Sequence, residues 1–119
     1  MTREELQSEL AAFPGATAEY PFDFTTRVYK VGGKIFAIMG DDAEPFKVSL
    51  KCDPDIAEEL REEYPGIVVP GYHLNKRHWN TVTIDVRVAD DDLRDWLAHS
   101  YDRVFGSLTR SVREQIAPL

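Results

Sequence analysis

The sequence predicts an α+β domain in which an antiparallel sheet carries its helices mainly on one face. Three observations lead there. Two β-rich runs, Arg27–Val31 and Lys34–Met39, flank Gly32-Gly33, the pattern of a tight hairpin. Strand-like alternation recurs at 46–51 and 81–86. Apolar residues at helical spacing fill separate stretches before, between and after these runs. At 119 residues the chain fits one domain, 1–119. A chain of that size buries roughly two-thirds of its unfolded surface, enough for a core without disulfides or metal.

Taken in order, Thr2 with Glu5 forms a capping box, and Leu6, Leu10 and Phe13 repeat at helical spacing until Pro14-Gly15. Residues 16–23 read as a loop whose Tyr20 and Phe22 pin it to the core. In the Gly32-Gly33 hairpin, only glycine takes the required positive φ cheaply. A phosphate-cradling loop is the alternative for these glycines, but neither a Gly-x-Gly-x-x-Gly nor a Walker pattern follows. After a turn at 41–45, Phe46, Val48 and Leu50 alternate with Lys47, Ser49 and Lys51, giving a half-buried strand with a basic outer face. That pattern leaves the second sheet face at least partly wet.

Asp53-Pro54 places an N-cap and a first-turn proline at the start of a helix with Ile56, Ala57, Leu60 and Tyr64 on its apolar stripe. Pro65-Gly66 ends it, and Ile67–Val69 is a short strand. Val82, Ile84 and Val86 alternate with Thr81, Thr83 and Asp85 as a further strand. Asp90–Asp92 put negative charge at the start of a long helix, where the dipole favours it. Gly106 is a point where this helix breaks or bends, and 109–116 a last amphipathic turn or two.

The formal net charge is −7, whereas generic binders of nucleic acid or acidic membrane are usually basic. The charge is unevenly spread. Acids dominate 53–63 and 90–95, while 24–40 and 72–80 hold Arg27, Lys30, Lys34, Lys76 and Arg77 with no acid between 24 and 40 or between 72 and 80. No apolar run approaches the ~18 residues of a membrane span. The first residues lack a signal-peptide core, and Cys52 is the single cysteine, so a cytoplasmic location is the expectation.

Any function centres on Tyr72 to Asn80, which concentrates two His, two Asn, two cations and two aromatics. One reading is a structured loop, with Tyr72 and Trp79 packed inward and the asparagines capping turns. The other is a recognition surface: cations for phosphate, Asn75 and Asn80 for hydrogen bonds, aromatics for stacking. His73 and His78 lie five apart without an HExxH pattern, and one cysteine cannot build a cysteine-rich zinc site, so no metal or cofactor is expected. Cys52 as a nucleophile needs a nearby base, and a structural role is the simpler reading. The residues suggest no enzyme.

The runs Lys30–Phe36, Leu50–Pro54, Gly71–Val82 and Ser100–Asp102, with Phe13–Gly15 and Tyr20–Phe22, resemble the MmcQ/YjbR family from about residue 4 to residue 105. The block from Tyr72 to Thr81 is the specific part. The resemblance implies a CyaY-like (frataxin-like) fold, to which the helix at 54–64 and the tail after Gly106 are additions. It also implies a double-wing mode of DNA binding without enzymatic activity. One wing would be the Gly32-Gly33 hairpin with Lys30 and Lys34, the other the loop with Lys76 and Arg77, and Lys47 and Lys51 would line the sheet between. Two alternatives stand beside it. One is a small-molecule or anion site lined by His73, Asn75, His78, Trp79 and Asn80. The other is a protein-interaction adaptor using Glu58, Glu59, Glu62 and Glu63. A monomer is expected in each case.

Overall fold

The protein was analysed as a computed structural model, which describes residues 1–71 and 73–117. Helix α1 (Arg3–Ala11) opens on the expected capping box: Thr2 Oγ1 accepts from the Glu5 amide and Glu5 Oε1 from the Thr2 amide. The helix ends before Phe13, which packs beyond it with its ring stacked on Tyr101 at 4.8 Å.

Six strands form one sheet: β1 (Thr17–Glu19), β2 (Thr26–Val31), β3 (Lys34–Gly40), β4 (Lys47–Lys51), β5 (Val68–Pro70) and β6 (Trp79–Thr83). Their order is β1-β2-β3-β4-β6-β5, and every neighbouring pair is antiparallel. Proline has no amide hydrogen to give a ladder, which suits Pro70 to the edge strand β5. Strand β1 falls within the expected loop. All its residues are exposed, so it has no alternation to read. Strand β6 starts at Trp79 and stops at Thr83, leaving Val86 fully exposed rather than in the strand.

Gly32 and Gly33 take φ of 57° and 82° in the β2–β3 turn, as the two-residue hairpin requires. Tyr29 pairs with Ala37 but Lys30 with Ile35, so Phe36 is an extra residue on β3. This bulge lets Phe36 join Ala37 on the buried side, where its ring meets Phe13 and Tyr101 edge-on.

The register separates two faces. Ala37, Met39, Val48, Leu50, Val68 and Val82 share the inner face and are buried. Helix α3 (Asp90–Ser107) crosses that face over β2, β3 and β4. It seats Leu93, Leu97, Tyr101 and Val104 in the core, each burial contributing about 1.5–3 kcal/mol for the aliphatic chains. Ser100, fully buried, donates to the Phe36 carbonyl (2.6 Å) and accepts from the Lys51 amide (2.8 Å), fixing the helix to the bulge and to β4. Helix α2 (Pro54–Glu63) begins as expected, with Asp53 accepting from the amides of Asp55 and Ile56. It covers β5 and β6 beside α3. Gly106 does not break α3, which runs on to Ser107. A separate helix α4 (Arg110–Ile116) then starts at its Thr109 cap.

Among the described residues the opposite face carries no helix. Its register rows are Lys47–Thr83, then Val28–Ile38–Ser49–Thr81–Val69, then Lys51–Trp79. The loop at 20–25 is not pinned to the core by its aromatics, which corrects the sequence expectation. Tyr20 is half-exposed and Phe22 and Phe24 stand out in solvent. Polar contacts hold it instead. Asp23 accepts from the amides of Thr26 and Thr25, which lowers its carboxyl pKa, and Tyr20 bonds Asp41.

Candidate functional site

The stretch from 73 to 80 is a turn-rich loop that feeds directly into β6. Tyr72, named with it from the sequence, lies outside the described residues. Asn75 Oδ1 accepts from the Arg77 amide, an Asx turn that leaves the side chains of Lys76 and Arg77 exposed. His73 is exposed with φ of 57°. His78 accepts the Cys52 amide through its carbonyl at 2.8 Å, so the loop is stitched to the end of β4. Gly71 pairs its amide with the Trp79 carbonyl, and a Cβ there would lie 2.7 Å from Trp79 Cβ. Only glycine fits beside that indole.

A further fastening comes from Arg61 of α2, a lone base in the acidic stretch 53–63. Its Nε donates to Asn80 Oδ1 (2.7 Å), and its Nη2 to the carbonyls of Lys76 and Trp79. Asn80 is buried on the inner face and gives its amide to the Ala57 carbonyl (3.4 Å). Asn80 therefore serves the structure of the loop rather than recognition. Its i-to-partner separation of nineteen residues leaves no local sequence signal for the pairing.

The six cations expected to act together divide. Lys47 and Lys51 share the helix-free face, with Trp79 directly across from Lys51. Lys76 and Arg77 are exposed beyond the end of the sheet, on the loop that leads into Trp79, where Arg61 of α2 holds the Lys76 carbonyl. Lys30 faces the same way, but its ammonium is 3.0 Å from Glu19 on β1. Lys34 goes to the other side, its Nζ 3.4 Å from Ser107 at the end of α3. The hairpin tip is also occupied. A Cβ on Gly32 would lie 2.6 Å from Leu108, with Val112 of α4 next. The first expected wing is thus packed against the α3–α4 junction.

Ser49 and Thr81 share a hydrogen bond of 2.8 Å across the middle of the open face. Beside them Ile38, Ala43, Lys47 and Val69 line a shallow groove. Inside the molecule, a recess between α2, α3 and the sheet is lined by Leu50, Cys52, Ile56, Asn80, Trp96 and His99. Its free space of about 40 Å³ is far below the roughly 300 Å³ that a small-molecule pocket needs. Of the residues expected to line a pocket, Asn80 alone reaches it, and it does so from the inner face. Cys52 is buried there, and burial pushes its thiol up to about 11. His99 of α3 accepts the Asp53 amide through Nε2 (3.1 Å). Among the described residues no three His, Cys, Asp or Glu side chains are placed to hold a metal ion, and no helix is long and apolar enough to cross a membrane.

A family model described as YjbR matches residues 11–103. The chain belongs to the YjbR family. It is 33% identical to the Escherichia coli K12 protein YjbR over 119 residues, all of both chains. With the YbdF protein of Escherichia coli O157:H7 it shares 34% identity over 100 residues, 83% of this chain and 80% of that one. A crystal structure of a DUF419 domain, the Deinococcus radiodurans protein DR2400, superposes with a TM-score of 0.91 at 38% identity. That match covers 97% of this chain and 87% of the other. The YjbR match spans the hairpin, the loop at 73–80 and the first part of α3, and ends before α4.

Proposed function

We propose that this YjbR-family chain binds nucleic acid through the helix-free face of its sheet and the adjoining loop. One observation carries the reading: Lys47 and Lys51 lie in register with Thr83 and Trp79 on a face that no helix of the described residues covers, and the exposed Lys76 and Arg77 precede Trp79 beyond the end of the sheet. Ammonium and guanidinium groups meet phosphate, and hydroxyls and an indole offer hydrogen bonds and stacking. The reading differs from a two-winged clamp, because the Gly32-Gly33 turn is packed and Lys34 points to the helix side.

Four cations bound the electrostatic contribution. Neutralising up to four phosphates gives a salt slope of at most about 3.6 on duplex DNA. The net charge of −7 opposes long-range attraction, so binding is expected at low salt and fades towards physiological salt. Backbone amide shifts on adding DNA at low salt should concentrate at 47–51 and 73–81. A Lys51→Glu/Lys76→Glu variant with an unchanged melting temperature should lose the shifts. Absence of shifts in the parent chain at low salt would overturn the proposal.

A further inference from the structure

Resting on that reading, we infer that the nucleic acid this face takes is single-stranded, laid along β4 with a base stacked on Trp79. The cations form one narrow track. Lys76 and Arg77 lead into Trp79, Trp79 lies across from Lys51, and Lys47 follows on the same strand and face. Side chains on one face of an antiparallel strand repeat at about 6.8 Å, and neighbouring strands lie about 4.8 Å apart. The track is therefore about two strands wide, which matches one polynucleotide backbone.

A duplex presents two backbones and calls for cations on two sides. The groups that would have supplied the second side are engaged elsewhere. Lys30 is paired with Glu19, Lys34 is on the far side of the sheet, and the hairpin tip is held by Leu108 and Val112. Between the two lysines, the Ser49–Thr81 pair sits beside a shallow groove floored by Ile38 and Val69. Hydroxyls over an apolar floor suit an unpaired base, whose edge and ring are both available; in a duplex the rings are stacked away inside. Trp79 is half-buried, and Gly71 brings no side chain alongside it.

The test compares fluorescence anisotropy of a labelled oligothymidylate of about 16 nucleotides with that of a mixed-sequence duplex of the same length, both at low salt. The oligothymidylate should bind at least tenfold more tightly and quench tryptophan emission. Trp79→Ala should weaken single-strand binding by about 5- to 150-fold, the range for losing one stacked base. Should that variant fail to fold, Lys47→Ala/Lys51→Ala is the second probe. Its two changes, at exposed Lys47 and half-buried Lys51, should lower the single-strand salt slope by about 1.4. Duplex binding equal to or tighter than single-strand binding would overturn this inference and leave the nucleic-acid reading standing. Binding of neither would overturn both.

Discussion

Arg61 sits in a helix otherwise rich in carboxylates, yet its guanidinium leaves that helix to hold the neighbouring loop. It reaches two loop carbonyls and the buried Asn80 side chain. Removing it leaves Asn80 Oδ1 inside the protein without its donor, and hydrogen bonds from charged groups contribute about 1.5–3 kcal/mol each. Because Arg61 is partly solvated, Arg61→Ala should cost about 2–4 kcal/mol in total. Amide exchange at 75–79 should rise with it, and Arg61→Lys should restore only part because one ammonium cannot reach all three acceptors. Urea denaturation with hydrogen exchange reads both effects, and an unchanged midpoint would remove Arg61 from this role. Cys52 gives a pH prediction. Burial pushes its folded thiol up to about 11, above the unfolded value of about 8.5. The neutral thiol favours the folded state, so that contribution is complete below the unfolded value and is lost as pH rises through the folded one. Urea midpoints should fall between about pH 8.5 and 11, and a Cys52→Ser variant should show a smaller decline. At neutral pH the thiol should react with a disulfide reagent far more slowly in the folded chain than in urea.

At the scale of elements, the hairpin was readable and its neighbour was not. Gly32-Gly33 between β-rich runs specifies a turn by local backbone sterics alone. That the turn packs on Leu108 and Val112 is decided by a helix some seventy-five residues on. The two glycines should therefore differ. Gly33→Ala meets open space and bears only the positive-φ cost of about 1–2 kcal/mol. Gly32→Ala bears that cost and also displaces Leu108, so its melting temperature should fall clearly further. Equal losses in a thermal melt would show the tip to be free. The cap of α1, the Asp53-Pro54 start of α2 and the stripe of α3 were likewise local and legible. Strand β1 and the bulge at Phe36 were not. An exposed strand has no alternation, and a bulge exists only against a partner register. In the loop at 73–80, the Asx turn was legible at Asn75, while the inward turn of Asn80 depended on Arg61 and Ala57.

For the whole molecule, the antiparallel topology sorts charge by end. One end collects Asp23, Asp41, Asp42, Glu44 and Asp85 on the loops where β2 and β4 begin and β3 and β6 finish, with Arg27, Arg3 and Arg87 paired to Asp41, Glu44 and Asp85. The other gathers Lys51, Lys76 and Arg77 where β4 finishes and β6 begins. An acidic chain can thereby keep Lys51, Lys76 and Arg77 together at one end, while exposed carboxylates such as Asp42 at the other add to the field an approaching anion meets. Replacing exposed Asp42 by Lys should raise the association rate with DNA several-fold at low salt. The gain should largely vanish near 0.15 M, where the screening length is about 8 Å. Stopped-flow fluorescence measures it, and a salt-independent gain would point to a direct contact instead. The sequence by itself determined the fold class, the order of most elements and their caps, because periodicity, turn sterics and capping act over a few residues. Tertiary structure alone decided that Lys34 leaves the face of Lys47 and Lys51, that the Gly32 tip is packed and that Asn80 turns inward. Those outcomes depend on strand register and on contacts between residues far apart in the chain.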